Sequence, residues 1–161
     1  MPHSPTLPGH TFEAISHATL GACIDVQRQL GPHCMEVDYQ RALALALPKH
    51  GLQFEREFEV PVVYDGVVVT TRRVDFLVWD EAGELLLEIK AASTIKAEDV
   101  EQCLLYLRQG RYRLCLLVNF GQFPLGIKRL VHTPADDEDH ESTVDHENTK
   151  RSENTKRGDG A

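Results

Sequence analysis

Leu85-Leu86-Leu87-Glu88-Ile89-Lys90-Ala91 is a strand-like apolar run broken by one carboxylate and one ammonium. Period-two alternation sends Glu88 and Lys90 to one face of such a strand and Leu85, Leu87 and Ile89 to the other. Just upstream, Val74-Asp75-Phe76-Leu77-Val78 likewise places a single acid in an apolar run. Burying charge is expensive unless it is paired or bound to a metal, so acids at two core-like positions point to a site.

Working outward, Phe54 to Tyr64 and Val67 to Trp79 are rich in Val, Phe and Tyr and are joined by Asp65-Gly66, a tight-turn pair. They predict a hairpin, and Glu84 to Ala91 follows as a third strand after Glu81-Ala82-Gly83. Upstream, Phe12, Ile15, Cys23, Val26 and Leu30 recur at helical spacing until Gly31-Pro32. A second helix is expected from Cys34 to Leu47, closed by Pro48 and Gly51. Downstream, Lys96 to Gln109 reads as a helix with Val100, Leu104 and Leu107 on one stripe and Gly110 past its end. Leu114 to Phe120 suits a buried strand, and Ile127 to Val131 a short edge strand. The order αα-βββ-α-β predicts an α/β domain, a mixed β-sheet flanked by helices.

The 161 residues are 42% hydrophobic and 26% charged, enough for one globular domain. Residues 1–11, with Pro2, Pro5, Pro8 and Gly9, read as a flexible lead-in, residues 12–132 as the folded domain, and residues 133–161 as a disordered tail. In the tail Glu147-Asn148-Thr149-Lys150-Arg151 recurs as Glu153-Asn154-Thr155-Lys156-Arg157. Of the formal charge of −8, −5 falls in the tail, which has 9 acidic and 4 basic residues. The near-neutral body argues against a generally basic nucleic-acid binder but leaves room for a local positive groove. No run approaches membrane-span length and Met1 to His10 lacks a secretion signal, so a cytoplasmic protein is expected. Cys23, Cys34, Cys103 and Cys115 are spread singly and read as reduced core residues.

For an isolated Glu-x-Lys, an ion pair at a solvated sheet edge is the simpler explanation. The hairpin brings Asp75 near Glu88 and Lys90, and two carboxylates plus a lysine form a phosphodiester-cleaving constellation. The acids suit a hard divalent cation through oxygen, and the lysine can position or help deprotonate the attacking water.

Asp75 followed by Glu88-Ile89-Lys90 resembles the D and (D/E)xK elements of the PD-(D/E)xK nuclease superfamily, and the surrounding text resembles the small bacterial GxxExxY proteins within it. The resemblance runs from Phe12 to His132. It takes in Leu30-Gly31-Pro32, Glu36-Val37-Asp38-Tyr39, Gly51-Leu52, Val62-Val63-Tyr64, Arg73-Val74-Asp75, Leu87 to Ala91, Gln102 and Tyr106, Leu117-Val118-Asn119-Phe120, and Gly126-Ile127-Lys128-Arg129. Two positions depart from the pattern: His33 replaces the glycine of the family's name, and Val74 the proline before the aspartate. A lone histidine at a helix start is more often an exposed capping-region residue than a ligand.

The resemblance implies a restriction-endonuclease-like fold and a Mg²⁺-dependent nuclease, Mn²⁺ also being suited, acting on DNA or RNA. It implies Asp75, Glu88 and the Ile89 carbonyl as metal ligands, Lys90 as the water-positioning residue, and Glu36 approaching the metal from the helical side. Gln102 is then placed to steady Lys90 or the substrate phosphate, while Tyr106 divides evenly between site and packing roles. Arg72, Arg73, Lys96, Arg108, Arg111, Arg113, Lys128 and Arg129 are available for a groove, although scattered surface arginines are ordinary. The alternative is a catalytically inactive nucleic-acid- or protein-binding module on the nuclease scaffold. A third option has the acidic tail mimicking phosphate in the groove.

Overall fold

The computed structural model describes residues 12–133; the expected lead-in and nearly all of the expected tail lie outside them. The elements are α1 (Phe12–Leu30), α2 (Glu36–Lys49), β1 (Gln53–Tyr64), β2 (Val67–Trp79), β3 (Glu84–Lys90), α3 (Ala97–Gly110), β4 (Leu114–Asn119) and β5 (Gly126–Val131). They form one five-stranded mixed sheet in the order β1-β2-β3-β4-β5, with only β3 and β4 parallel. The crossover between those two is α3. The expected α/β layering, a mixed sheet flanked by helices, is what the chain adopts.

Each face of the sheet buries its own apolar set. Ile15, Cys23 and Val26 of α1, with Tyr39, Leu43 and Leu47 of α2, pack on Phe76, Val78, Leu85, Leu87, Ile89, Leu116 and Val118. On the other face, Cys103, Tyr106 and Leu107 of α3 pack on Leu77, Leu86, Cys115 and Leu117. Because β3 is covered on both sides, alternation no longer separates apolar from solvated positions. A charge in the middle of this strand, as at Glu88, is therefore buried whichever way it points, while Glu84 and Lys90 at its ends are half-buried.

Several element ends differ from expectation for local reasons. α2 begins at Glu36 because the Asp38 carboxylate accepts the Met35 backbone N–H at 2.9 Å, leaving Met35 extended as the cap. Pro48 sits inside its last turn rather than closing it, and the end comes after Lys49, with Leu52 N–H bonding the Leu47 carbonyl at 3.2 Å. α3 includes Gly110, and Arg111 takes the left-handed cap conformation at φ 58°. Its inward face centres on Cys103, Tyr106 and Leu107, so Tyr106 points into the core. Cys34 departs as well: it is half-buried in the α1–α2 loop, whereas the other three cysteines are in the core, and all four are unpaired. Among the described residues no helix is long and apolar enough to cross a membrane.

Two polar side chains tie loops to the end of the sheet that carries Lys90. Asn119, fully buried, accepts the N–H groups of Ala92 (3.0 Å) and Gly121 (3.1 Å) and donates to the Ala92 carbonyl and Gln122 Oε1, both at 2.9 Å. Gln27 of α1 donates to the carbonyls of Phe120 (3.0 Å) and Gln122 (2.6 Å). The fit is close: a Cβ on Gly121 would stand 2.2 Å from the Ala92 oxygen. Asn119→Ala is expected to lower stability by about 2 kcal/mol, since it removes the partners of half-buried backbone groups of Ala92 and Gly121; denaturant unfolding of the two proteins measures it.

Candidate active site

The site forms where β2 and β3 stop being a ladder. Their antiparallel register pairs Trp79 with Glu84, Val78 with Leu85, Leu77 with Leu86 and Phe76 with Leu87, then ends. Asp75 and Glu88 come next along the two strands. Instead of a backbone bond, Asp75 Oδ2 accepts the Ile89 N–H at 2.7 Å. On the other side of β2, Arg56 pairs with Phe76 and Phe58 with Val74, and Glu57 between them adopts φ 50°. The ladder is thus disturbed on both sides of Asp75.

α2 supplies the second contact to that carboxylate. Gln40 Nε2 donates to Asp75 Oδ1 at 2.9 Å. Gln40 follows Glu36 by four residues and so shares its helix face. Glu36, half-buried at the first position of α2, lies in the field of Asp75, Lys90 and Asp99; burial first, then the Asp75 charge, raises its carboxyl above the ordinary range. Glu36 is an expected site residue, whereas Gln40 is not, although the four-residue spacing that puts the two on one helix face is visible in the sequence.

Glu88 is 6% exposed, and its Oε2 is buried without a hydrogen-bond partner. Burial, with the neighbouring Asp75 carboxylate adding to it, pushes the Glu88 carboxyl up to about 10. Lys90 responds to the same charges in the opposite sense. Burial works against its ammonium, but Asp99, Glu36, Glu88 and Asp75 more than offset this and raise it above the ordinary lysine range. Its nearest ionic partner is Asp99 of α3, with Nζ 3.6 Å from Oδ1.

Asp75, Glu88, Lys90 and Glu36 are therefore brought together at one end of the sheet. Among the described residues no three His, Cys, Asp or Glu side chains cluster as a metal cage. The Asp75 and Glu88 carboxylates with a main-chain carbonyl remain the donors to weigh. Two adjoining acids, one with an orphaned buried oxygen, fit a hard cation, which would remove both the repulsion and the unmet acceptor.

Other expected residues have different surroundings. Gln102 lines an open groove of about 700 Å³ with Arg72, Lys96, Asp99, Glu101 and Arg108, and the side chain against Lys90 is Asp99. Tyr106 is buried, and its hydroxyl donates to the Arg73 carbonyl at 3.3 Å, one strand residue from Val74 and two from Asp75. Tyr39 stacks on Phe120, donates to the Gly31 carbonyl and accepts the Cys34 N–H, which makes it a brace for the α1–α2 loop. His33 is exposed. Of the candidate cations, Arg72, Lys96 and Arg108 share the groove, Arg73 faces Glu57 and Glu59 at 3.8 Å, and Lys128 and Arg129 are exposed on the edge strand β5.

No curated protein and no solved structure gave a significant match to the chain. Residues 13–130, by contrast, match a family model described as the PD-(D/E)XK nuclease superfamily. That span covers all eight elements but for the first residue of α1 and the last of β5, and its mixed sheet is consistent with a restriction-endonuclease-like fold. On the match and the architecture together, the chain belongs to the PD-(D/E)XK nuclease superfamily.

Proposed function

We propose that the domain is a divalent-metal-dependent nuclease that hydrolyses phosphodiester bonds of DNA or RNA, within the GxxExxY group of the superfamily. The observation that carries this reading is the buried, partnerless Glu88 oxygen beside the Asp75 carboxylate. A fold gains nothing from such a pair on its own; a cation that both acids can grip gives it a purpose.

Asp75, Glu88 and the Ile89 carbonyl are the ligands we assign, with Mg²⁺ the leading ion and Mn²⁺ a substitute. A divalent ion there supplies Lewis-acid polarisation of the phosphate and a lower pKa for the attacking water. Gln40 and the Ile89 N–H aim Asp75 by holding one oxygen each. Glu36, on the helical side, is placed to orient water. Because its surroundings keep Lys90 protonated, Lys90 acts as a donor to water and to the phosphate rather than as a base. Gln102, on the groove wall, is assigned to the substrate phosphate. The cysteines, unpaired among the described residues, suit a reducing compartment, and we place the protein in the cytoplasm.

Asp75→Ala, Glu88→Ala and Lys90→Ala should each cut Mg²⁺- or Mn²⁺-dependent cleavage of DNA and RNA substrates by roughly a thousandfold while leaving the fold intact. Calorimetric titration with Mn²⁺ should show one uptake event that disappears in Glu88→Ala. Equal cleavage by wild type and variants would identify a contaminant, and an absence of specific Mn²⁺ uptake would favour a binding module without chemistry.

Glu88 also sets the pH dependence of the chelator-treated protein. In the unfolded chain its carboxyl ionises near its ordinary value of 4.5, whereas the fold holds the proton up to about 10. Between those values the unfolded state binds fewer protons, so stability falls as pH rises. Urea unfolding in chelator at a series of pH values from 5 upward should show that decline, and Glu88→Gln should flatten it.

A further inference from the structure

We infer that Asp99 is the positioning residue for Lys90: it fixes the ammonium at the mouth of the Asp75–Glu88 pair and couples that placement to the N-terminus of α3. The inference rests on the nuclease reading for its consequence in cleavage, though not for the contact itself.

Three observations carry it. First, the pair is sheltered, the Lys90 and Asp99 side chains being 24% and 17% exposed at 3.6 Å, unlike the surface pair of Arg73 and Glu57, which are 65% and 70% exposed. Water screens the former far less than the latter. Secondly, Asp99 is not free to follow the lysine, because its other oxygen, Oδ2, accepts the Lys96 backbone N–H at 3.0 Å. One carboxylate thus caps α3 and holds Lys90. Thirdly, the lysine backbone is fixed from the opposite side: the Lys90 carbonyl accepts the Phe120 N–H at 2.8 Å, and Asn119 clamps Ala92 two residues on.

The geometry also explains why a lysine ringed by acids does not settle on the metal-binding pair. Glu36, Asp75 and Glu88 all attract it, and collapse onto either of the last two would block the cation. Asp99, on the far element, draws Nζ toward α3 and keeps the two carboxylates available. Asp99 also lines the groove that holds Arg72, Lys96, Gln102 and Arg108, so the carboxylate that anchors the ammonium borders that groove as well.

Asp99→Asn separates the two duties of the residue, since an amide oxygen can still cap Lys96 N–H but no longer carries charge. Asp99→Glu restores the charge on a longer arm. Amine labelling followed by peptide mass spectrometry, with Lys49 and Lys128 as internal references, should show Lys90 reacting severalfold faster in Asp99→Asn and slower again in Asp99→Glu. In the same proteins kcat for cleavage should fall about tenfold in Asp99→Asn, with KM and melting temperature near wild type, and recover in part in Asp99→Glu. Lys90 labelling as slow in Asp99→Asn as in wild type overturns the inference, as does unchanged kcat or a loss of cleavage that merely follows melting temperature. If wild type itself fails to cleave, the nuclease reading fails, and the labelling alone decides whether Asp99 holds Lys90.

Discussion

One backbone amide decides where this domain can concentrate charge. Where the next rung of the β2–β3 ladder should lie, the Ile89 N–H turns to a side chain, Asp75 Oδ2, at 2.7 Å. That substitution lets the two strands part without leaving a buried donor unmet. In the opening stand an aspartate with both oxygens hydrogen-bonded and a glutamate with one oxygen left over. The remaining features of the site are responses to this: Gln40 reaches in from α2, Glu36 enters the same field, and Lys90 takes up the excess of negative charge.

The two helical layers divide the labour. α2 addresses Asp75 through Gln40, and α3 addresses Lys90 through Asp99, so the strand-borne groups are steered from both faces of the sheet. Both helices also begin with the same device, an aspartate at the third helical residue accepting the N–H of the capping residue, at Asp38 and at Asp99. In α3 that device is shared with the site. Secondary-structure termination and functional geometry therefore draw on one carboxylate.

Much of the architecture was legible because it is written in local patterns. Asp65-Gly66 marks the β1–β2 hairpin, and Glu81-Ala82-Gly83 marks the turn that lays β3 back along β2, bringing Asp75 beside Glu88 without knowledge of any helix. Gly31-Pro32 and the apolar spacing of α1 were equally local. What stayed hidden depends on docking between elements distant in the chain. In the sequence Asp99 is one more acid near a helix start, and nothing nearby says that Lys90 lies across from it. Asn119 sits in a motif of the resemblance, but two of its four hydrogen bonds go to Ala92, 27 residues away, and the other two to Gly121 and Gln122. Tyr106 was ambiguous because its neighbour Leu107 already accounted for the apolar stripe; the carbonyl that takes its hydroxyl belongs to Arg73, 33 residues earlier.

The orphaned oxygen of Glu88 sets chemistry and architecture at odds. A buried acid that the scaffold does not satisfy is a standing strain, and replacing such a group by an apolar one of similar shape is commonly neutral or favourable to folding. A substitution that removed the acid would meet little resistance from the fold, and the scaffold would tighten as a result. Loss of the acid is then the thermodynamically downhill direction for this scaffold, so the stability of the fold alone gives no reason for a glutamate at position 88.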